Sequence, residues 1–237
     1  MIAGGMESMS NVPYAMKRQA PPYGGVKIDD LITHDGLTDA YNHCHMGVCG
    51  EHTAATMGIT RAEQDAYAIG SYHKSAAAWS NGVFDAEIFP VTIAGKRGKP
   101  DKVVSVDEEY TRFNESKFGN LRAVFKKDGT VTAGNASTLN DGACAMIMMT
   151  AEKAAELGCT PLARVLGFAD AATQPIDFPI APAKAVPKAL QWAGVDKNDV
   201  SVEQSQLCVD FVRLDRPVGS ERGLFRRRHC KPASSRH

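Results

Sequence analysis

Along most of the chain, apolar positions fall into short runs broken by polar turns, with one long stripe at helical spacing. Ala62, Ala66, Ile69 and Ala76 lie on that stripe, which closes near Trp79 and predicts a helix over 60–80. Thr60 and Glu63 supply a capping box at its start, and Asn81-Gly82 stops it. Ile2-Ala3 running into Gly4-Gly5 reads as the end of a buried strand. Residues 87–93 and 102–106 read as a strand pair around the loop GKRGK. A turn is expected at Asp128-Gly129, and the apolar run 143–149 predicts a fully buried strand. Thr150 then opens a short helix that ends at Gly158.

Further on, residues 162–168 predict another buried strand, followed by a Pro-rich loop. A helix near 182–193 with Pro182 in its first turn and a strand near 200–204 complete the series. That order is one β-α-β crossover, the opening of a parallel sheet, so the fold class is α/β. After Gln204 the periodicity ends, and 205–237 are expected to be disordered.

Charge marks the same boundary. Residues 205–237 carry seven arginines and one lysine against Asp210, Asp215 and Glu221, an excess of five positive charges. The whole chain is neutral, so the first 204 residues carry an equal negative excess. An apolar content of 43% over 237 residues is enough for a sizeable core in one or two domains. No apolar run has the length of a membrane span. Six scattered cysteines suggest reduced thiols rather than a disulfide framework.

The stretch AGNASTLNDGACAM, 133–146, carries the most chemistry. A loop of small residues, ended by Asp141-Gly142 and delivered by a strand, is suited to lying against a ligand. It resembles the thiolase family, as do GGMESMSNVPY (4–14), DGLTDAYN (35–42), HMG (45–47), EQDAYAIGSY (63–72) and PLARVLGFADAA (161–172), in the same order. The resemblance covers residues 2–204 and is closest to members of mitochondrial type. It implies an incomplete form of a layered α-β-α-β-α fold. Residues 1–15 would be the end of its N-terminal half, 16–130 a loop domain that binds coenzyme A and assembles tetramers, and 131–160 the return to the first half. Residues 161–204 would begin the C-terminal half, and 205–237 would be an unrelated basic tail, as from a shifted reading frame or retained intron.

Thiolases join or cleave acyl groups on coenzyme A through a cysteine thioester. The resemblance implies acetyl-CoA as substrate, with condensation to acetoacetyl-CoA and the reverse thiolysis. The family's nucleophilic cysteine would precede residue 1, and its Gly-His-Pro and Cys-x-Gly strings do not occur in this sequence. The expectation is therefore that no catalytic residue is present and that the chain alone is inactive, because such groups act as a unit.

What the resemblance does supply is part of a coenzyme A surface. Tyr72, Arg112 and Lys117 would meet the nucleotide end, Ser137 the pantetheine arm, and His45 and Met46 its tunnel. Tyr72 and carbonyls of Ala133, Gly134 and Ala136 would form a potassium site. Gly134 stands where alanine is common, a change expected to alter rigidity more than chemistry. Each residue also has a plain reading: Tyr72 as a half-buried core tyrosine, Lys117 as a solvated lysine, Ser137 as a turn residue. His45 reads equally as a hydrogen-bonded buried histidine.

Other readings fare worse. HCHMGVC (43–49) lacks a zinc spacing, and GKRGK is no phosphate loop. Arg226-Arg227-Arg228 has no interleaved aromatics, so no specific nucleic acid is expected. Acyl-CoA is the expected partner, together with oligomers of this chain or with full-length subunits. Neither end of the sequence reads as a targeting signal, and a mitochondrial location is expected for the full-length parent. A half-sheet without partner strands exposes its edges, which predicts poor solubility.

Overall fold

A computed structural model describes residues 1–18 and 22–200, together with the backbone of 202–205 and 210–213. In chain order the strands are β1 (Ile2–Ser8), β2 (Tyr14–Ala15), β3 (Asp29–Asp30), β4 (Thr38–Asp39) and β5 (Cys44–His45). They continue as β6 (Val91–Ile93), β7 (Lys102–Val104), β8 (Asp141–Ile147), β9 (Val202–Ser205) and β10 (Asp210–Arg213). The helices are α1 (Met46–Met57), α2 (Arg61–Ser80), α3 (Glu115–Phe118), α4 (Ala151–Glu156) and α5 (Ala181–Ala193). The contacts divide the chain into two units, Met1–Cys159 with Gln174–Phe178, and Thr160–Thr173 with Pro179 onward.

In the first unit, β1 and β8 pair antiparallel with Ile2 opposite Ile147, Gly5 opposite Cys144 and Ser8 opposite Asp141. Burial of these strands was expected and is not found. Every residue of β8 is exposed, and Ile2 and Met6 are likewise open to solvent. Among the described residues the ribbon has two strands, and no third strand borders either edge. Gly4 is needed where the strands meet, since a Cβ there would lie 2.5 Å from the Cys144 carbonyl oxygen. The other pairs are short antiparallel ladders, β2 with β3, β4 with β5, and β6 with β7. The last two form within 87–93 and 102–106 as expected, but β6 starts only after Pro90, which has no N–H to give to a ladder.

α2 has both halves of its capping box, with Thr60 Oγ1 accepting from Glu63 N and the Glu63 carboxylate accepting from Thr60 N. Its inward face differs from the apolar stripe at one end. Ala62 and Ala66 face solvent, whereas Asp65 is buried and Arg61 half-buried. The centre of this unit lies between α1, α2 and the segment 118–136, and much of it is polar: Glu51, Asp65 and Thr132 are buried there alongside Cys49, Ala54 and Phe118. α4 runs from a Thr150 cap to Gly158, as its sequence predicts.

In the second unit, α5 forms with Pro182 in its first turn and ends at Gly194, whose φ of 65° suits the left-handed cap. Residues 162–168 form no strand, contrary to expectation, and Leu162, Val165 and Phe168 are exposed. This segment finds no ladder partner among the described residues and instead leans on α5. Phe168 lies against Trp192 with ring centroids 6.0 Å apart, and Lys188 Nζ donates to the Asp170 carbonyl at 3.2 Å. The expected parallel crossover is accordingly not formed. β9 pairs antiparallel with β10, Val202 opposite Arg213 and Ser205 opposite Asp210. Residues 210–213, expected to be disordered, are therefore a strand, and Ser205 ends the strand opposite; residues 206–209 and 214–237, the Arg226–Arg228 cluster among them, lie outside the described residues.

Candidate functional site

The loop 130–137 is held from two sides by carboxylates on helices. Glu51 of α1 accepts from Thr130 N at 2.9 Å with each oxygen, from Val131 N at 2.8 Å and from the Thr130 hydroxyl at 3.0 Å. Burial pushes the Glu51 carboxyl upward, but these bonds from Thr130 and Val131 outweigh it and leave it below its ordinary value of 4.5. Asp65 of α2 accepts from Arg61 Nε at 2.7 Å and from Asn135 Nδ2 at 2.8 Å. Asn135 Oδ1 accepts from the Thr132 amide at 2.7 Å, and Arg61 Nη2 donates to the Phe118 and Leu121 carbonyls at 2.9 and 3.1 Å. Side-chain hydrogen bonds thus tie down the Thr130, Val131 and Thr132 amides and the Asn135 side chain.

What the clamp leaves outward is the chemistry of the loop. Ser137 and Ala133 are exposed, and the Ser137 hydroxyl makes no hydrogen bond among the described residues. The carbonyl oxygens of Ala133, Gly134 and Ala136 likewise accept none there. Gly134 is packed closely: a Cβ would lie 2.6 Å from Leu121 Cδ1 and 3.0 Å from Phe118 Cζ. The absence of a side chain at 134 thus concerns space as well as rigidity.

Phe118 connects the loop to Tyr72. The Tyr72 ring meets Phe118 edge-on at 6.0 Å and stacks on Phe113 at 4.7 Å. Its hydroxyl donates to Glu109 Oε1 at 2.7 Å. Burial first, and then the Glu109 carboxylate, push the phenol up to about 12, so it stays neutral at physiological pH. Glu109 begins the 3-10 turn Glu109–Arg112, which places Arg112 on the same short segment. The Arg112 guanidinium is exposed and donates to Glu108. Lys117 sits on α3, one residue before Phe118, and its exposed ammonium has no ion-pair partner among the described residues. Tyr72, Arg112 and Lys117 therefore occupy adjoining segments around one aromatic cluster.

His45 and Met46 lie at the start of α1. His45 is its cap, with Nδ1 accepting from Gly47 N at 3.0 Å and the ring stacked on Phe125 at 4.6 Å. Met46 opens the helix, and its amide donates to the Leu37 carbonyl at 2.8 Å. Both side chains are half-buried. Of the four Cys and His side chains in 43–49, only Cys44 and Cys49 meet, and Asp39 joins them so that one ligand atom from each lies within 4.8 Å of the others. Sequence reasoning missed Glu51, Asp65, Asn135 and Glu109. The Arg61/Asp65 spacing of four on one helix face was the available signal for part of this network. Among the described residues no cysteine sulfur is hydrogen-bonded to a histidine.

Comparison with known proteins places this arrangement. The sequence model of the thiolase N-terminal domain matches residues 1–152. The mitochondrial acetyl-CoA acetyltransferase B of Xenopus laevis is 62% identical over 203 residues, covering 85% of this chain and 48% of that protein. The human mitochondrial acetyl-CoA acetyltransferase is 59% identical over 215 residues, covering 90% of this chain and 50% of its own length. The chain thus spans about half the length of the curated relatives it matches. Among solved structures, the Acat5 thiolase of Ascaris suum in complex with coenzyme A superposes with a TM-score of 0.78 at 41% identity, over 85% of this chain and 51% of that one. Human mitochondrial 3-ketoacyl-CoA thiolase gives a TM-score of 0.77 at 34% identity, over the same 85% and 51%. With its clamped loop and open two-stranded ribbon forming part of the thiolase fold, the chain belongs to the thiolase family.

Proposed function

We propose that this chain carries part of the coenzyme A surface of an acetyl-CoA acetyltransferase. In the longer protein that surface would serve the condensation of two acetyl-CoA molecules to acetoacetyl-CoA and the reverse thiolysis. The observation that carries the reading is the loop 130–137. It is anchored by Glu51, Asp65 and Asn135, yet presents Ser137 unpaired, beside an aromatic cluster flanked by exposed Arg112 and Lys117. A long polyanionic thioester needs such a combination: cations for phosphate and a fixed polar backbone for the pantetheine amides. Met46 and His45 are proposed to border the pantetheine arm.

The chain by itself is proposed to bind without turning over. Acyl transfer needs a thiolate with a base beside it, and no cysteine–histidine hydrogen bond exists among the described residues. Lys117 is the cation for the nucleotide phosphates. The test is the melting temperature of the chain with and without millimolar coenzyme A, repeated for Lys117→Ala. A ligand at about ten times its Kd stabilises by roughly 1.4 kcal/mol, a readable shift. No shift for the unmodified chain would overturn the reading, as would an equal shift for the variant where Lys117 is concerned.

Potassium belongs to the same reading. Three neighbouring carbonyl oxygens without hydrogen bonds, and a neutral phenol oxygen beside the Glu109 carboxylate, are hard oxygen donors of the kind such an ion takes. Ala133, Gly134, Ala136 and Tyr72 would hold it, and the ion would supply positive charge that stiffens the loop. Replacing potassium with lithium should then weaken coenzyme A binding; equal affinity in both salts refutes it. For the parent protein, a mitochondrial location is supported by the relatives' names. Pairing of this chain with itself or with full-length subunits is supported by the open β1–β8 ribbon.

A further inference from the structure

We propose that Cys44 and Cys49 are an oxidisable pair that closes to an intramolecular disulfide across the start of α1. The position of each follows from how the helix begins. His45 is the cap, so Cys44 is the residue before it and Cys49 is the fourth residue of the helix. Side chains at these two positions pack together at many helix starts as a hydrophobic staple, which fixes the entry angle of the chain. Here both halves of the staple are thiols, with sulfurs 3.9 Å apart. Cys49 is fully buried and Cys44 half-buried, so an oxidant reaches Cys44 first and Cys49 is already in place to resolve it.

The chemistry balances with a disulfide oxidant such as oxidised glutathione. Cys44 loses its proton to solvent and attacks one glutathione sulfur, releasing one glutathione thiolate, which takes up a proton. Cys49 then loses its proton and attacks Cys44 Sγ, releasing the second glutathione. The protein pair is oxidised by two electrons and the glutathione disulfide is reduced to two thiols. Burial, followed by the neighbouring Cys44 and Asp39, pushes the Cys49 thiol up to about 11. The reduced pair therefore gains nothing from thiolate formation at neutral pH, unlike dithiols that are poor at staying oxidised.

A bound metal is the weaker use of the same atoms. Asp39 already accepts from Tyr41 N at 2.9 Å, Asn42 N at 3.2 Å and Asn42 Nδ2 at 2.6 Å, so its oxygens are spoken for. His45 is engaged as the helix cap. The cross-link brackets His45 and Met46, but its formation does not depend on the coenzyme A reading and is measurable if that reading fails.

The sequence supplies a direct assay. Met46 lies between the two cysteines, with Met16 and Met57 as the flanking methionines. The full chain is equilibrated in a glutathione redox buffer, its remaining thiols are alkylated, and it is cut at methionine with cyanogen bromide. The expected result is that fragments 17–46 and 47–57 stay joined, carry no alkyl group, and separate on reduction. Cys44→Ser should leave Cys49 a free thiol, and Cys49→Ser should leave Cys44 carrying glutathione. Three outcomes would overturn the proposal. They are a stable glutathione adduct on Cys44 of the unmodified chain, a link from either residue to Cys144 or Cys159, and protection of both thiols by equimolar zinc.

Discussion

Removing the Glu51 carboxylate is the most direct way to test whether the loop 130–137 is held from within. The side chain is 6% exposed and serves three donors: the amides of Thr130 and Val131 and the Thr130 hydroxyl. In Glu51→Ala the hydroxyl can rotate to another acceptor, but the two amides lose theirs. Each orphaned buried donor costs about 1–3 kcal/mol, and water entering the vacated space recovers some of it. The expected loss is therefore about 2–4 kcal/mol, or roughly 30- to 1,000-fold in the opening equilibrium. Glu51→Gln should fall in between, because its amide nitrogen sets a donor against a donor. Hydrogen exchange resolved at Thr130 and Val131 is the right assay, since it reads those amides whatever the rest of the chain does. Glu156→Ala is the control: its contact with Lys153 at 2.7 Å is exposed and should be worth well under about 1 kcal/mol. If Glu51→Ala left protection of both amides unchanged, the clamp would not be what orders the loop.

Acid should act through the same group. Because the Glu51 carboxyl titrates below its ordinary 4.5 in the folded chain, its contribution is complete above that value and declines as pH falls further; exchange protection at Thr130 measured from pH 5 downward checks this. At the alkaline end, Tyr72 favours the fold while neutral, so stability should fall between about 10 and 12, and Tyr72→Phe should remove that component of a pH-resolved melting curve. Asn135→Ala strands the buried Thr132 amide and should cost about 2 kcal/mol, read as a lower denaturant midpoint. Gly47→Ala puts a Cβ 2.2 Å from the Phe125 ring, which must leave its stack on His45; about 1–3 kcal/mol of destabilisation is expected by the same denaturant measurement.

Local signals in the sequence carried over well where the structure depends on near neighbours. The Thr60/Glu63 box, the Asn81-Gly82 stop, the Thr150 cap and Pro182 in the first turn of α5 are all set by residues within one helical turn. Burial was another matter. ACAMIMM reads as a core strand because each side chain is apolar, yet burial requires covering layers, and among the described residues β8 pairs with β1 alone and is exposed along its length. The same reasoning misjudged 162–168, whose apolar residues found α5 instead of a ladder. At the candidate site, Tyr72, Arg112 and Lys117 were legible only through resemblance, and the structure brings their segments to one aromatic cluster. Glu51 was invisible, because its partners lie some eighty residues away and two of the three are backbone amides, which leave no mark on side-chain pattern.

The polar centre of the first unit also governs how it responds to temperature. Heat capacity on unfolding rises with newly hydrated apolar surface and falls with newly hydrated polar surface. A centre built around Glu51, Asp65 and Thr132, with Ile2, Met6 and Ile147 already wet in the folded state, exposes little new hydrocarbon when it opens. Its stability curve is therefore expected to be flatter, and less prone to weaken in the cold, than that of a domain of the same size with a hydrocarbon core.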